Sequence, residues 1–232
     1  MREVETSGLR NTASHEERAY SVNERFYTWQ GEGTYAGAPA FFIRLHGCPV
    51  KCPWCDSAGT WHPDFVPQDV PRMQVRTLVE EVERACPEFV VLTGGEPTIH
   101  QLTPLTDSLH RAGFSVHLET CGAFPLRGAF DWITLSPKFN KLPLDQNLEI
   151  ANEFKLVVED AQTIARWEER LGGFYREKPI WLQPEWSQRE CPEVLQSITR
   201  AVKARRFRYR AGWQNHKWYL ADADDARSRE EA

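Results

Sequence analysis

The sequence predicts an α/β fold, an incomplete (β/α) barrel of about six parallel strands. Three observations carry that expectation. Short apolar runs alternate with segments of helical period, as strand–helix–strand units require. No repeat or low-complexity linker divides them, and 232 residues fit one core of ordinary size. Polar and glycine-rich residues fall where the runs end, the edge on which barrel enzymes build their sites.

In chain order, residues 1–21 are polar and without period and are expected as a flexible arm. A single domain is expected over 22–220, followed by a flexible acidic tail at 221–232. The first strand is placed at 40–46, with Phe41, Ile43 and Leu45 on one face and Phe42, Arg44 and His46 on the other. Val75, Leu78, Val79 and Val82 recur at helical spacing and mark the first crossover helix. In it, Thr77 and Glu80 either form a capping box or lie on the exposed face. A second strand at 89–92 ends in Thr93-Gly94-Gly95-Glu96-Pro97, and Leu102, Leu105, Leu109 and Ala112 mark a helix stopped by Gly113. Further strands are expected at 115–119, 132–136, 154–158 and 180–183, and helices at about 161–171 and 193–204. Residues 122–129 are too short and too broken by Gly and Pro for a helix, so some crossovers are loops. An extra strand fits near 209–213.

An apolar fraction of 41% marks a globular chain, and a net charge of −5 supplies no basic footprint, so no nucleic-acid partner is expected. No apolar run approaches the ~18 residues a membrane span needs, and the N-terminus lacks a signal-peptide core. A cytoplasmic protein without a membrane partner is therefore expected.

Three of six cysteines, Cys48, Cys52 and Cys55, lie within eight residues, a spacing that points to metal rather than to a disulfide framework. Cys86, Cys121 and Cys191 are scattered and read as small buried or half-buried hydrophobes. Two metals suit the cluster. Zinc would need a fourth ligand, His46 or His62, and would brace the loop of a binding module. A 4Fe–4S cluster would take three thiolates and leave one iron open to an exogenous ligand, and the spacing favours it.

At strand ends, Gly94 and Gly95 let backbone approach a ligand, and Glu96 offers a carboxylate to an ammonium. Ser136, Lys138 and Gln183 have oxygen or nitrogen to offer to hydroxyls and a carboxylate, or are a capped turn and a solvated lysine. Before the first strand, Gln30-Gly31-Glu32-Gly33 carries a Gln and an acid suited to a pyrimidinone edge, or is an ordinary glycine turn.

Cys48-x3-Cys52-x2-Cys55 followed by a Gly-Gly-Glu turn resembles the signature of the radical S-adenosylmethionine (SAM) superfamily. That resemblance implies a partial barrel of the radical SAM type, with SAM bound at the open iron of a [4Fe-4S] cluster. It further implies SAM contacts from Trp54, Gly94, Gly95, Glu96, Ser136, Lys138 and Gln183, although Trp54 equally suits plain packing.

Gln30-Gly31-Glu32-Gly33, the stretch through Asp56, and the later TGGEP, LETCG, LSPK, LQP and Gln214-Asn215-His216-Lys217 resemble the 7-carboxy-7-deazaguanine synthase family, over about 22–220. The resemblance implies a lyase of queuosine and 7-deazapurine biosynthesis that acts on 6-carboxy-5,6,7,8-tetrahydropterin. Hydrogen abstraction at C6, ring contraction and ammonia loss would follow, with SAM regenerated. It implies that Gln30, Glu32, Thr93, Glu119 and His216 read the pterin ring and that Arg44 pairs with the carboxylate. For Arg44 the competing reading is an outward-facing surface residue, and for His216 a partly exposed histidine on a terminal strand. The family's Mg2+ position is Ser57 here, where threonine is expected. An electron donor such as flavodoxin or ferredoxin and a homodimer are also implied. A small radical SAM activase acting on a partner protein shares the cysteine spacing and is the competing enzyme reading.

Overall fold

The computed structural model describes residues 15–174 and 177–219. Residues 1–14 of the expected arm, and all of the expected acidic tail, lie outside the described residues. The chain divides into two compact units. One takes Met1–Tyr27, Pro39–Thr120 and Phe124–Trp132, the other Thr28–Ala38, Cys121–Ala123 and Ile133–Ala232.

The first unit holds most of β1 (Ala19–Trp29), then β2 (Pro39–Leu45), β3 (Arg72–Gln74), β4 (Phe89–Gly94) and β5 (Ser115–Thr120), with helices α1 (Val75–Ala85) and α2 (Thr103–Arg111). Its strand order is β3-β1-β2-β4-β5. β2, β4 and β5 pair in parallel, with Ile43 opposite Leu92 and Val90 opposite Val116, whereas β3 runs antiparallel to β1. Both faces of β2 are covered, so Phe42 is buried like Phe41, and it stacks on Phe26 with ring centroids 5.3 Å apart. Parallel strands packed on both sides read in this way as nearly continuous apolar runs, which is why Phe89-Val90-Val91-Leu92 carries no alternation.

Helix α1 buries Val75, Leu78 and Val82, each contributing about 1.5–3 kcal/mol relative to exposure. No side chain caps its N-terminus, so the Thr77–Glu80 pair is not a capping box, and Glu80 lies on the exposed face. Its C-cap is Cys86, left-handed at φ 47 and exposed, against the expectation of a buried or half-buried thiol. The reason is positional, because a cap residue that turns the chain out of a helix faces water. Ala19, Tyr20 and Ser21, counted with the expected arm, are strand residues paired with β3. Tyr20 is buried and its hydroxyl donates to Gln101 O; burial pushes its pKa up to about 12.

The second unit holds β6 (Trp132–Leu135) from Ile133 on, β7 (Glu153–Val158), β8 (Ile180–Pro184) and β9 (Tyr209–Ala211), in that order and all parallel. The expected extra strand is therefore present as β9. Helices α3 (Asp145–Ile150), α4 (Thr163–Leu171), α5 (Pro192–Ala204) and α6 (Asn215–Tyr219) complete it. Phe154, Leu156, Ile180 and Leu182 are fully buried, and Trp167 of α4 stacks on Phe139 at 3.8 Å. His216 lies in the short α6 and not on a strand, because the chain leaves β9 at Gly212 and turns helical at Asn215. Among the described residues no helix is long and apolar enough to cross a membrane.

Candidate active site

The cysteine loop leaves the carboxyl end of β2. Cys48 and Cys55 are half-buried, Cys52 is buried, and none of the three is in a disulfide. Lys51 sits at φ 55, a left-handed conformation that costs a non-glycine residue about 1–2 kcal/mol, and it turns the chain between Cys48 and Cys52. Gly47 N–H donates to Thr60 O (2.9 Å) and Cys55 N–H to Cys52 O (3.3 Å), which pins the loop on itself. Burial pushes the Cys55 thiol up, while the Trp61 indole and the backbone of Ser57 pull the other way. The indole N–H of Trp61 is itself buried and lacks a regular hydrogen-bond partner, so thiolate or sulfide sulfur beside Cys55 would give it an acceptor. Three soft sulfur ligands in one loop, beside a buried donor that lacks an acceptor, are the donor set that a 4Fe–4S cluster with one open iron takes. The histidines weighed as zinc ligands are engaged elsewhere: His46 Nδ1 lies 3.4 Å from Asn23 Oδ1, and His62 packs against Trp61 and Phe65.

The Gly-Gly-Glu turn ends β4 directly beside this loop. A Cβ on Gly95 would stand 2.7 Å from Cys48 Cβ, and one on Gly94, at φ 141, would meet the backbone of Leu45. Gly95 N–H donates to Leu45 O (3.1 Å) and Glu96 N–H to Gly47 O (2.9 Å). Close approach is thus required first by the chain's own cysteine loop, which sequence reasoning had assigned to a ligand alone. Glu96 is buried, and its Oε1 accepts from Thr98 N–H (3.1 Å), Thr98 Oγ1 (2.6 Å) and Thr120 Oγ1 (2.6 Å). Three donors on one oxygen fix the carboxylate's direction.

Arg44 is not a surface residue. Its Nε donates to Glu24 Oε2 (2.6 Å) and its Nη1 to Ser57 Oγ (2.7 Å). Burial disfavours its charge, but the carboxylates of Glu24, Asp56 and Glu119 outweigh that and raise its pKa above the ordinary arginine value. Ser57 Oγ also donates to Asp56 Oδ1 (3.3 Å). At the ends of β4 and β5, Thr93 Oγ1 donates to Glu119 Oε2 (3.4 Å). The first unit therefore brings Arg44 to Ser57 and Thr93 to Glu119.

The second unit gathers the residues of the Gln30–Glu32 turn. Gln30 and Glu32 are buried, Gln30 Oε1 accepts from Glu32 N–H (3.1 Å), and the Glu32 carboxylate is paired with Lys155 of β7. A Cβ on Gly31 would overlap the His216 ring, and Asn215 N–H donates to Gly31 O (3.1 Å), so α6 lies against the turn. Lys138 Nζ donates to Ser136 O (2.9 Å) and Ser136 Oγ (2.6 Å), so this lysine is held and not freely solvated. Gln183 is buried at the end of β8, and Trp54, in the first unit, is half-buried. Sequence reasoning missed Glu24, Lys155 and Glu153. The available signal was a charge inside or beside an otherwise strand-like run, which a buried strand tolerates only when paired.

A thiolate loop on one parallel strand and a Gly-Gly-Glu turn on the next define a radical SAM enzyme, and residues 42–156 match the Radical SAM superfamily. A 7-carboxy-7-deazaguanine synthase from Synechocystis is 42% identical over 200 residues, 86% of this chain and 92% of that one. One from Escherichia coli K12 is 40% identical over 189 residues, 71% and 84% of the two chains. The crystal structure of QueE from Escherichia coli superimposes with a TM-score of 0.75 at 34% identity, covering 88% of this chain and 98% of that one. The chain belongs to the 7-carboxy-7-deazaguanine synthase family.

Proposed function

We propose that this enzyme converts 6-carboxy-5,6,7,8-tetrahydropterin to 7-carboxy-7-deazaguanine, through hydrogen abstraction at C6, ring contraction and loss of ammonia. The observation that carries the reading is Arg44: a guanidinium charged at any physiological pH, oriented by Glu24 at the end of the strand that leads into the cysteine loop. An anchored arginine there suits a substrate carboxylate, which its fork binds with two parallel bonds.

A [4Fe-4S] cluster and SAM, when bound, supply the radical that abstracts hydrogen. Cys48, Cys52 and Cys55 would hold the cluster. Gly94, Gly95 and Glu96 would meet the methionyl amine of SAM, with Trp54, Ser136, Lys138 and Gln183 completing its contacts. Gln30, Glu32, Thr93, Glu119 and His216 would read the pterin ring. Ser57 would carry Mg2+: its oxygen accepts one bond from Arg44 and donates one to Asp56, which leaves a lone pair for a hard cation that keeps its other ligands from substrate and water. Residues 22–220 form the catalytic domain in this reading. A cytoplasmic homodimer reduced by a flavodoxin- or ferredoxin-type donor completes it.

The decisive experiment is anaerobic. Holoenzyme is given SAM, reductant, Mg2+ and carboxytetrahydropterin, and deazaguanine product and ammonia are measured. Product in the complete mixture, absent without SAM, supports the assignment. An intact cluster that cleaves SAM yet forms no product rejects it.

A further inference from the structure

Glu153 opens β7 with its side chain buried at 2% exposure, and among the described residues no cation lies within ion-pair distance of it. Neutral donors satisfy it instead. Oε2 accepts from Thr34 N–H (3.0 Å), Thr34 Oγ1 (2.7 Å) and Trp181 Nε1 of β8 (2.8 Å), while Oε1 accepts from Thr134 Oγ1 of β6 (2.8 Å). The carboxylate thus ties β6, β7 and β8 to the residue that follows Gln30-Gly31-Glu32-Gly33. Gly33, at φ 71, has no room for a Cβ because Oε1 of Glu153 occupies that space. The turn is therefore held on both glycines, with His216 over Gly31 and Glu153 against Gly33, and Lys155 paired to Glu32 between them. Thr34 itself is exposed, so its two bonds to a buried carboxylate are not explained by core packing.

We propose that Glu153 is a positioning residue for substrate: acting through Thr34 and Gly33, it fixes the turn that presents Gln30 and Glu32 to the pterin ring. This rests on the assignment of those two side chains to the ring. The role requires acceptors and not charge, because Thr34 N–H and Trp181 Nε1–H can only donate. A glutamine can place its carbonyl oxygen at the Oε2 position and its amide towards Thr134, whose hydroxyl can turn to accept.

The test uses holoenzyme variants Glu153→Ala, Glu153→Gln and Thr34→Val. It reads substrate Kd, SAM Kd and amide hydrogen exchange across residues 30–34. Glu153→Ala should weaken substrate binding about tenfold and Thr34→Val about threefold, the scale of lost bonds to a charged group, with SAM binding unchanged. Glu153→Gln should stay within about threefold of the parent. Exchange at Glu32 and Thr34 should quicken in the Ala and Val variants while β7 and β8 stay protected. Unchanged substrate Kd in Thr34→Val, whose exposed site spares the fold even if Glu153→Ala unfolds, overturns the proposal. So does equal loss in Gln and Ala variants. Gln30→Ala and Glu32→Gln are the companion controls. If they leave substrate Kd unchanged, the ring assignment fails and the positioning role with it; if they weaken binding while the Glu153 and Thr34 variants do not, the positioning role alone fails.

Discussion

Arg44 keeps its charge in a half-buried place because three carboxylates offset the cost, and only one of them, Glu24, holds it by a direct bond. That division suits the proposed role of meeting a further anion: Glu24 sets the direction of the guanidinium, and the N–H groups not used by Glu24 and Ser57 would serve a substrate carboxylate. Lysine keeps the charge but has no rigid fork, so it cannot hold Glu24, Ser57 and a carboxylate together. Arg44→Lys should therefore raise substrate Kd at least about tenfold while SAM binding is unaffected, measured by anaerobic titration of each ligand. Substrate affinity equal to the parent's would remove the carboxylate role from Arg44.

The elements around the cysteine loop are fixed by backbone crowding, and this gives the turn after β4 a stability role separate from any ligand. Gly95→Ala would drive a methyl into Cys48 Cβ and the Gly47 carbonyl, an overpacking cost of about 1–3 kcal/mol. The Tm of the metal-free protein should fall, and an unchanged Tm would show that the loop yields. A second element-level tie joins α2 to β5. Burial works against the Asp131 carboxylate, but bonds from Val116 N–H (2.7 Å) and from His110 Nε2 (2.8 Å) outweigh it and hold its pKa below the ordinary value. A depressed carboxylate stabilises the fold above its unfolded pKa of about 3.9, and that stability is lost as pH falls through the folded value. Asp131→Asn should therefore lower Tm near neutral pH, with the gap to the parent closing as pH falls below the ordinary carboxylate value and through the lower folded one. A gap that stays constant with pH would assign the loss to shape alone.

These ties also show where the sequence was legible. β2, β4 and β5–β8 were readable because parallel strands buried on two faces leave apolar runs, and the cysteine, Gly-Gly-Glu and Gln30–Glu32 segments because their residues are neighbours along the chain. β1 was not, since Glu24 and Arg25 break its apolar pattern; both charges are paired, with Arg44 and Glu81. Likewise α6 has five residues, too few for a period, and Glu153 and Lys155 take their meaning from a turn over a hundred residues earlier.

At the scale of the whole molecule, six thiols compete for any metal offered, and three of them are neighbours along one loop. Cys48, Cys52 and Cys55 share one loop, which the Gly-Gly-Glu turn braces at Gly47 and Cys48. Cys86 is an exposed helix cap, Cys121 is buried, and Cys191 donates to Glu193 at the start of α5. A cluster with three protein ligands therefore needs only the loop, and anaerobic reconstitution should load about four iron and four sulfide per chain, with absorbance near about 400 nm. Replacing Cys86, Cys121 and Cys191 together by serine should leave that loading intact, whereas Cys52→Ser should lose it and with it SAM cleavage. One zinc per chain and no iron absorbance in the parent would return the loop to a structural role, and iron lost from the triple variant would mean that the ligand set extends beyond the loop.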